Sequence, residues 1–234
     1  MNRSYRASAL AIFALAAGAA QAILIDDFTS GPYSITANSV LPRAEAVRAG
    51  TMLGGERDAL LEWMGGPQGV SASVVIGGGG AQFYNESSES NGRLTLQYDG
   101  FDGELETDGV QTPGSGLATN FSGDTQFDLF FRFVDAGLGA NVAVTITVVS
   151  ATGSSTFTSF IANGVNIMHS VAFSNFVGVD FANVQRLEFS FTSPAASDFT
   201  LDYIQSSSSI PGPAAAIPFA VGAFTAVRRR LRLR

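Results

Sequence analysis

The stretch DTQFDLFFRFVDA, residues 124–136, decides the fold. Phe127, Leu129, Phe131 and Phe133 fall on one face of it, and Asp128, Phe130 and Arg132 on the other. A period of two is that of an extended strand with one face in a core. The same alternation follows in NVAVTITVVSA, residues 141–151, where Val142, Val144, Ile146 and Val148 oppose Ala143, Thr145 and Thr147. GRLTLQYDG (92–100), SSTFTSFIA (154–162), HSVAFSNF (169–176), QRLEFSFT (185–192) and DFTLDYIQ (198–205) repeat it, rich in β-branched and aromatic residues. Gly, Asn, Ser and Asp separate these runs as turn formers. The pattern predicts an all-β chain: two packed antiparallel sheets, a sandwich of jelly-roll type, with a closed barrel as the alternative. Most of the nineteen phenylalanines then belong to the core. LPRAEAVRAG, residues 41–50, is the one candidate helix of this region, and Gly77–Gly80 reads as a loop between strands.

The two ends differ from this body. MNRSYRASALAIFALAAGAAQA, residues 1–22, has Arg3 and Arg6, an apolar run from Ala7 to Ala20, and small residues at Ala20 and Ala22. A basic start, a short apolar run and an A-x-A step predict a secretory signal peptide, cleaved to begin the mature chain near Ile23. The domain expected after it spans residues 23–205, long enough for one sizeable core. Export permits disulfides, yet the chain has no cysteine. It also has no lysine: of thirteen arginines, two precede Ile23 and five follow Ile210. Six arginines against all twenty acidic residues give the body a net charge of −14. Such a surface repels nucleic acid and favours cations and solubility.

Catalysis finds thin support in the residue types, so a binding or structural role is the expectation. His169 is the single histidine and no GxSxG elbow accompanies it. The glycine run lacks the Lys and Ser/Thr of a phosphate loop. Carboxylates are plentiful. In YDGFDGELETDG, residues 98–109, an extended backbone would set Glu104, Glu106 and Asp108 on one face. Three like charges so close raise one pKa, as a glycan hydrolase or lyase needs for its proton donor. That is the enzymatic alternative; the expected role is a solvated acidic loop. A second carboxylate group lies at the strand-like termini, ILIDDFT and DFTLDYIQ. If the first and last strands adjoin, Asp26 or Asp27 approaches Asp198 or Asp202, and Asp26, Asp27 and Asp202 become candidate ligands of a structural calcium ion. For carbohydrate binding, the available aromatics are Trp63, Tyr84, Tyr98 and Tyr203.

The chain closes with SSSSIPGPAAAIPFAVGAFTAVRRRLRLR, residues 206–234. Ser206–Ser209 predicts a linker. Ala214–Val227 would make a helix of about 21 Å, short against a bilayer core of about 30 Å, and Pro218 and Gly222 weaken it. It suits a transient stop in translocation, with the arginines held on the cytoplasmic side; a permanent C-terminal anchor is the alternative. A serine linker, a Pro-x-Pro step, a short apolar segment and a terminal arginine cluster resemble the PEP-CTERM sorting signal. Pro211 and Pro213 fall on the family's two prolines, Gly212 stands where the family has glutamate, and Arg228, Arg229 and Arg230 begin the basic end. The resemblance covers residues 210–234. It implies recognition by an exosortase, a membrane protease-transpeptidase, transient inner-membrane insertion, and delivery to the cell surface or extracellular matrix, among the proteins of exopolysaccharide and biofilm production.

Overall fold

A computed structural model describes residues 22–86, 89–101, 116–137 and 140–208. Thirteen strands make up the described chain. They are β1 (Leu24–Asp26), β2 (Tyr33–Asn38), β3 (Arg43–Ala49), β4 (Glu56–Gly65), β5 (Ser71–Ile76), β6 (Ala81–Asn85) and β7 (Asn91–Tyr98), then β8 (Gln126–Asp135), β9 (Val142–Ser150), β10 (Gly153–Ile161), β11 (Gly164–Ala172), β12 (Val184–Ser193) and β13 (Asp198–Ser207). Their pairing is antiparallel throughout and forms two sheets rather than one closed barrel. The seven-stranded sheet runs β11-β8-β13-β6-β5-β2, with β1 on β13; the six-stranded sheet runs β10-β9-β12-β7-β4-β3. The expected two-sheet sandwich is therefore present. Among the described residues no helix is long and apolar enough to cross a membrane; the only helical pieces are single turns at Leu53–Gly55 and Phe173–Asn175.

The alternation seen in the sequence positions the core. Val142, Val144, Ile146 and Val148 are all fully buried, and so are Leu94, Leu96 and Tyr98 on β7 and Leu187, Phe189 and Phe191 on β12. Rings tie the sheets together: Phe127 of one meets Phe189 of the other at 5.8 Å, and Phe131 meets Phe191 at 6.0 Å, both edge to face. Such pairs add about 0.5–1.5 kcal/mol each beyond the area they bury.

The fold departs from the sequence pattern at β3 and at the end of β8. LPRAEAVRAG is not helical. Residues Arg43–Ala49 form β3 and pair with β4 from Arg43 opposite Glu62 to Ala49 opposite Glu56. Good helix formers yield because cross-strand pairing beside a core outweighs a propensity of a few tenths of a kcal/mol per residue. Phe133 leaves the inward face of β8. Thr200 pairs with Phe133 and Leu201 with Phe131, so Arg132 is an extra residue on β8; Asp202 is likewise extra on β13, between Leu201 and Tyr203. Facing bulges of this kind flip the alternation: Phe133 is 40% exposed and Val134 takes its inward place at 2%. The two bulge residues, Arg132 and Asp202, pair with each other.

Gly77–Gly80 is the turn between β5 and β6, as expected. Gly78 and Gly79 have φ of 64° and 82°, a left-handed backbone that glycine adopts without a Cβ clash. The serine run begins inside the fold: Ser206 is buried in β13 and its hydroxyl donates to Asp124, while Ser207 donates to Asp128. Of the expected linker, Ser209 lies outside the described residues, as do residues 1–21, 102–115 and 210–234.

Candidate functional site

The outer faces of the two sheets differ in chemistry. On the six-stranded sheet, side chains of β3, β4, β7 and β12 line a groove of about 390 Å³. Strand register sets its residues in rows across the sheet. One row runs Asp58, Gln97, Glu188, Thr147, Thr156; the next runs Glu45, Leu60, Thr95, Ser190, Thr145, Thr158. Arg43, Glu62 and Arg93 stand side by side in a third.

These groups are held in place by one another. Glu62 Oε2 accepts from Arg93 Nε at 2.7 Å and lies 2.6 Å from Arg93 Nη2. Arg43 Nε sits 2.6 Å from Glu45 Oε1, an ion pair without hydrogen-bond alignment. The Thr95 and Ser190 hydroxyls share a hydrogen bond of 2.5 Å. Gln97 is only 3% exposed although it belongs to the outer face; its Nε2 donates to Asp99 Oδ2 at 2.7 Å, and its Oε1 has no hydrogen-bond partner. A buried amide oxygen left so costs about 1–3 kcal/mol. Carboxylates that accept, guanidiniums that donate and an amide and hydroxyls that do both make up a surface suited to a ligand rich in hydroxyl groups.

No protein-family model matches the chain, and no curated protein matches it. Among solved structures it is similar to the family 11 carbohydrate-binding module of the cellulosomal cellulase Lic26A-Cel5E of Clostridium thermocellum, at 11% identity and a TM-score of 0.40, over 82% of this chain and 96% of that one. It is also similar to TmCBM61 in complex with β-1,4-galactotriose, at 8% identity and a TM-score of 0.29, over 75% of this chain and 89% of that one. The agarase AgWH50C gives 11% identity and a TM-score of 0.38, over 65% of this chain and 23% of that one. Likeness of this degree says nothing of what this chain binds.

The candidate catalytic carboxylates Glu104, Glu106 and Asp108 lie outside the described residues, as do the cleavage residue Ala20 and the tail residues Pro211, Gly212, Pro213, Arg228, Arg229 and Arg230. Ala22 is exposed just ahead of β1. The first and last strands do adjoin, Leu24 opposite Gln205 and Asp26 opposite Ile204. Their aspartates are engaged separately. Asp26 is buried, and its Oδ2 accepts from Arg57 Nη1 at 2.6 Å and from the Tyr98 hydroxyl at 2.8 Å, while Oδ1 accepts from the Phe28 amide at 2.8 Å. Asp27 accepts from the Thr29 hydroxyl and amide, bonds that hold its carboxyl below the usual range. Asp202 faces Arg132, and Asp198 accepts from the Asn85 amide at 3.0 Å. Among the described residues, no three His, Cys, Asp or Glu side chains gather as metal ligands would.

Of the candidate aromatics, Tyr98 is a core residue and Trp63 packs partly buried against the core. Tyr84 and Tyr203 are on the outer face of the seven-stranded sheet, Tyr203 stacked on Phe130 with centroids 5.3 Å apart. On that face Val75, Phe133, Val165 and Met168 are each more than a third exposed, set among the outward polar residues Ser34, Thr36, Ser73, Gln82 and Thr200. Its central carboxylate, Asp128, is occupied by Gln126, Ser170 and Ser207.

His169 has a partner that the sequence did not reveal: its Nε2 lies 2.7 Å from Ser159 Oγ, bridging the edge strands β11 and β10. Burial lowers its pKa. Among the described residues no carboxylate is hydrogen-bonded to the other ring nitrogen, so the third member of a triad is missing from the pair. A second hollow, at the loops of Asn38–Leu41 and Gly69–Ser71, uses its polar groups locally: Asn38 accepts from the Val40 and Leu41 amides and Glu86 from the Ser71 amide.

Proposed function

We propose that this chain is an exported glycan-binding domain whose binding face is the groove on the six-stranded sheet. The observation that carries this is the groove's set of prearranged polar groups, in which the Arg93–Glu62 pair stands on one side of the Thr95–Ser190 row and the buried, half-satisfied Gln97 on the other. A sugar offers hydroxyls that donate and accept at close intervals, which such a row satisfies without importing charge. The alternating passage of the chain between the two sheets fits a jelly-roll. Export and sorting rest on the sequence of the ends: the signal-peptide pattern up to Ala22, and the Pro-x-Pro, apolar and arginine segments of residues 210–234. In this reading an exosortase-type protease is the sorting partner, the tail enters the inner membrane transiently, and extracellular polysaccharide is the ligand at the cell surface or matrix.

Affinity electrophoresis of residues 23–208 through gels containing neutral polysaccharides tests the binding face. The protein should be retarded, and Arg93→Ala should weaken retardation at least about tenfold, the worth of one charge-assisted hydrogen bond, with an unchanged melting temperature. Retardation by no polysaccharide, or the same retardation for the variant, sinks the assignment. Sorting has its own test: intact mass of the protein from cells making an exosortase should show loss of the terminal arginines, and a retained RRRLRLR refutes processing.

A further inference from the structure

On the far side of the groove the outer face changes character without a break in register. Beyond Glu188 and Ser190 of β12 come Thr147 and Thr145 of β9, then Thr156 and Thr158 of β10. The hydroxyls are paired across the strands, Thr145 with Thr158 at 2.9 Å and Thr147 with Thr156 at 3.0 Å. Each such pair keeps donor and acceptor capacity toward solvent. No charged side chain occurs in β9 or β10. An edge strand is where natural sheets place charge against unwanted pairing, and β10 is the edge of its sheet. Two residues along β10 from Thr158, opposite Ala143, Phe160 stands 65% exposed.

We propose that the ligand is an uncharged oligosaccharide chain lying across the strands, held at one end by the groove and at the other by the threonine quartet and Phe160. The assignment rests on the groove being a glycan site and adds to it a second subsite and a ligand class. Three observations carry it. The rows are continuous, one from Asp58 to Thr156 and the next from Glu45 to Thr158, so a straight polymer can follow them. The six strands, separated by five spacings of roughly 4.8 Å, span about 24 Å, enough for about five pyranose rings laid end to end and far more than one sugar needs. The groove's four carboxylates, Glu45, Asp58, Glu62 and Glu188, outnumber its two cations, Arg43 and Arg93, both of which are already paired with glutamates, and the body carries net charge −14 from six arginines and twenty acids; an acidic polysaccharide meets repulsion at both scales. Phe160 offers an exposed apolar ring to the carbon face of a sugar beside hydroxyls that take its rim.

The test is calorimetry of residues 23–208 with neutral gluco-, manno- and galacto-oligosaccharides from disaccharide to hexasaccharide, and with oligogalacturonides of the same lengths. Affinity should rise with each added neutral sugar up to about five rings, and the acidic series should bind at least about tenfold more weakly. A variant with Thr145, Thr147, Thr156 and Thr158 each changed to Val keeps the β-branched shape. It should lose about tenfold in affinity for the hexasaccharide and leave disaccharide binding unchanged; Phe160→Ala should do the same. A length-independent loss, an affinity that stops rising at two sugars, or equal binding of oligogalacturonides overturns this inference. If Arg93→Ala abolishes binding while the threonine variant matches the parent, the groove stands and the second subsite falls. If no oligosaccharide binds at all, both fall together.

Discussion

Asp26→Asn should cost the domain about 3–5 kcal/mol, the range for stranding one partner of a buried ion pair. Arg57 is completely buried and donates to Asp26 Oδ2 and to the Ser30 and Gly31 carbonyls at 3.2 and 2.8 Å, with the rings of Phe28 and Tyr33 5.5 and 5.3 Å from its guanidinium carbon. No water reaches it to replace a lost counter-charge. Asparagine keeps the volume of aspartate but not its acceptors. Oδ2 receives both Arg57 Nη1 and the Tyr98 hydroxyl, so an amide NH2 there faces a donor on the guanidinium. Turned over, it instead loses the acceptor that Oδ1 gives to the Phe28 amide. For a domain of this size each kcal/mol lowers the melting temperature by about 2–4 °C, so the fall should be about 6–20 °C. Urea unfolding gives the free energy directly, with an unchanged slope if only the native state is affected. Asp26→Leu combined with Arg57→Met removes both charges and should be less destabilised than Arg57→Met alone plus Asp26→Leu alone, a coupling of opposite sign to simple addition. An Asp26→Asn variant within about 1 kcal/mol of the parent refutes the reasoning, as does strict additivity in the double variant.

Tyr33 and Tyr98 supply an alkaline limb. Burial raises both phenols above their ordinary value of 10.0, with Asp26 adding to the effect on Tyr98; the unfolded chain therefore releases protons above pH 10 that the folded one retains. Stability should be level below that pH and fall above it by up to about 1.4 kcal/mol per pH unit for each phenol, and a flat urea midpoint across this range would contradict it. His169 acts in the other direction: its pKa lies below the ordinary 6.5 because of burial, so the unfolded chain takes up a proton first and stability drops as pH falls from about 7 toward 5. His169→Gln should reduce that slope, and an identical acid limb in the variant would remove histidine as its cause. Gly92→Ala should cost about 1–3 kcal/mol by overpacking. Its Cβ would come within 2.9 Å of Ala72 Cβ and 3.1 Å of Phe83 Cζ between the sheets, and a melting temperature equal to the parent's would show that the sheets can part there.

Most of the sandwich was legible because side-chain period survives folding wherever one face is buried. NVAVTITVV shows this best, with every second residue fully buried and every intervening one on the outside. Where the chain departs from the period, the cause is a relation between strands. The paired extra residues Arg132 and Asp202 turn Phe133 outward, and neither segment alone announces a bulge. The same limit applies to β3, whose alanines, glutamate and arginines suit a helix until β4 pairs with them. The adjacency of the first and last strands was anticipated. The role of Asp26 was not, because its partner Arg57 is 31 positions away and lies in the core. The groove was hidden for a related reason. Arg43, Glu62, Arg93, Gln97 and Glu188 are ordinary outward residues of four strands, and only register brings them into neighbouring rows. The signal that could have found them is that the outward positions of GRLTLQY and QRLEFSFT are all polar.

The distribution of arginine strengthens the groove's claim to be a recognition surface. The body has six arginines and no lysine. Arg57 compensates a buried carboxylate, Arg132 closes a double bulge, and Arg48 lies over the Tyr33 ring at 5.6 Å. Two of the remaining three stand in the groove, each against a glutamate. An exposed pair of this kind adds only about 0–1 kcal/mol to stability, so stability alone is a weak reason for scarce cations to be there. Pairing does something else: it fixes side chains that otherwise lose about 0.5–1.5 kcal/mol of rotamer freedom apiece when a ligand orders them. Glu62 gives one oxygen to Arg93 and keeps the other free of that pair. The acceptor a hydroxyl would use is thus already oriented before any hydroxyl arrives. Preorganisation also predicts the effect of a substitution that preserves charge. Arg93→Lys retains the charge but cannot hold Glu62 through two nitrogens at once, and it should weaken binding while leaving the net charge of the groove unchanged.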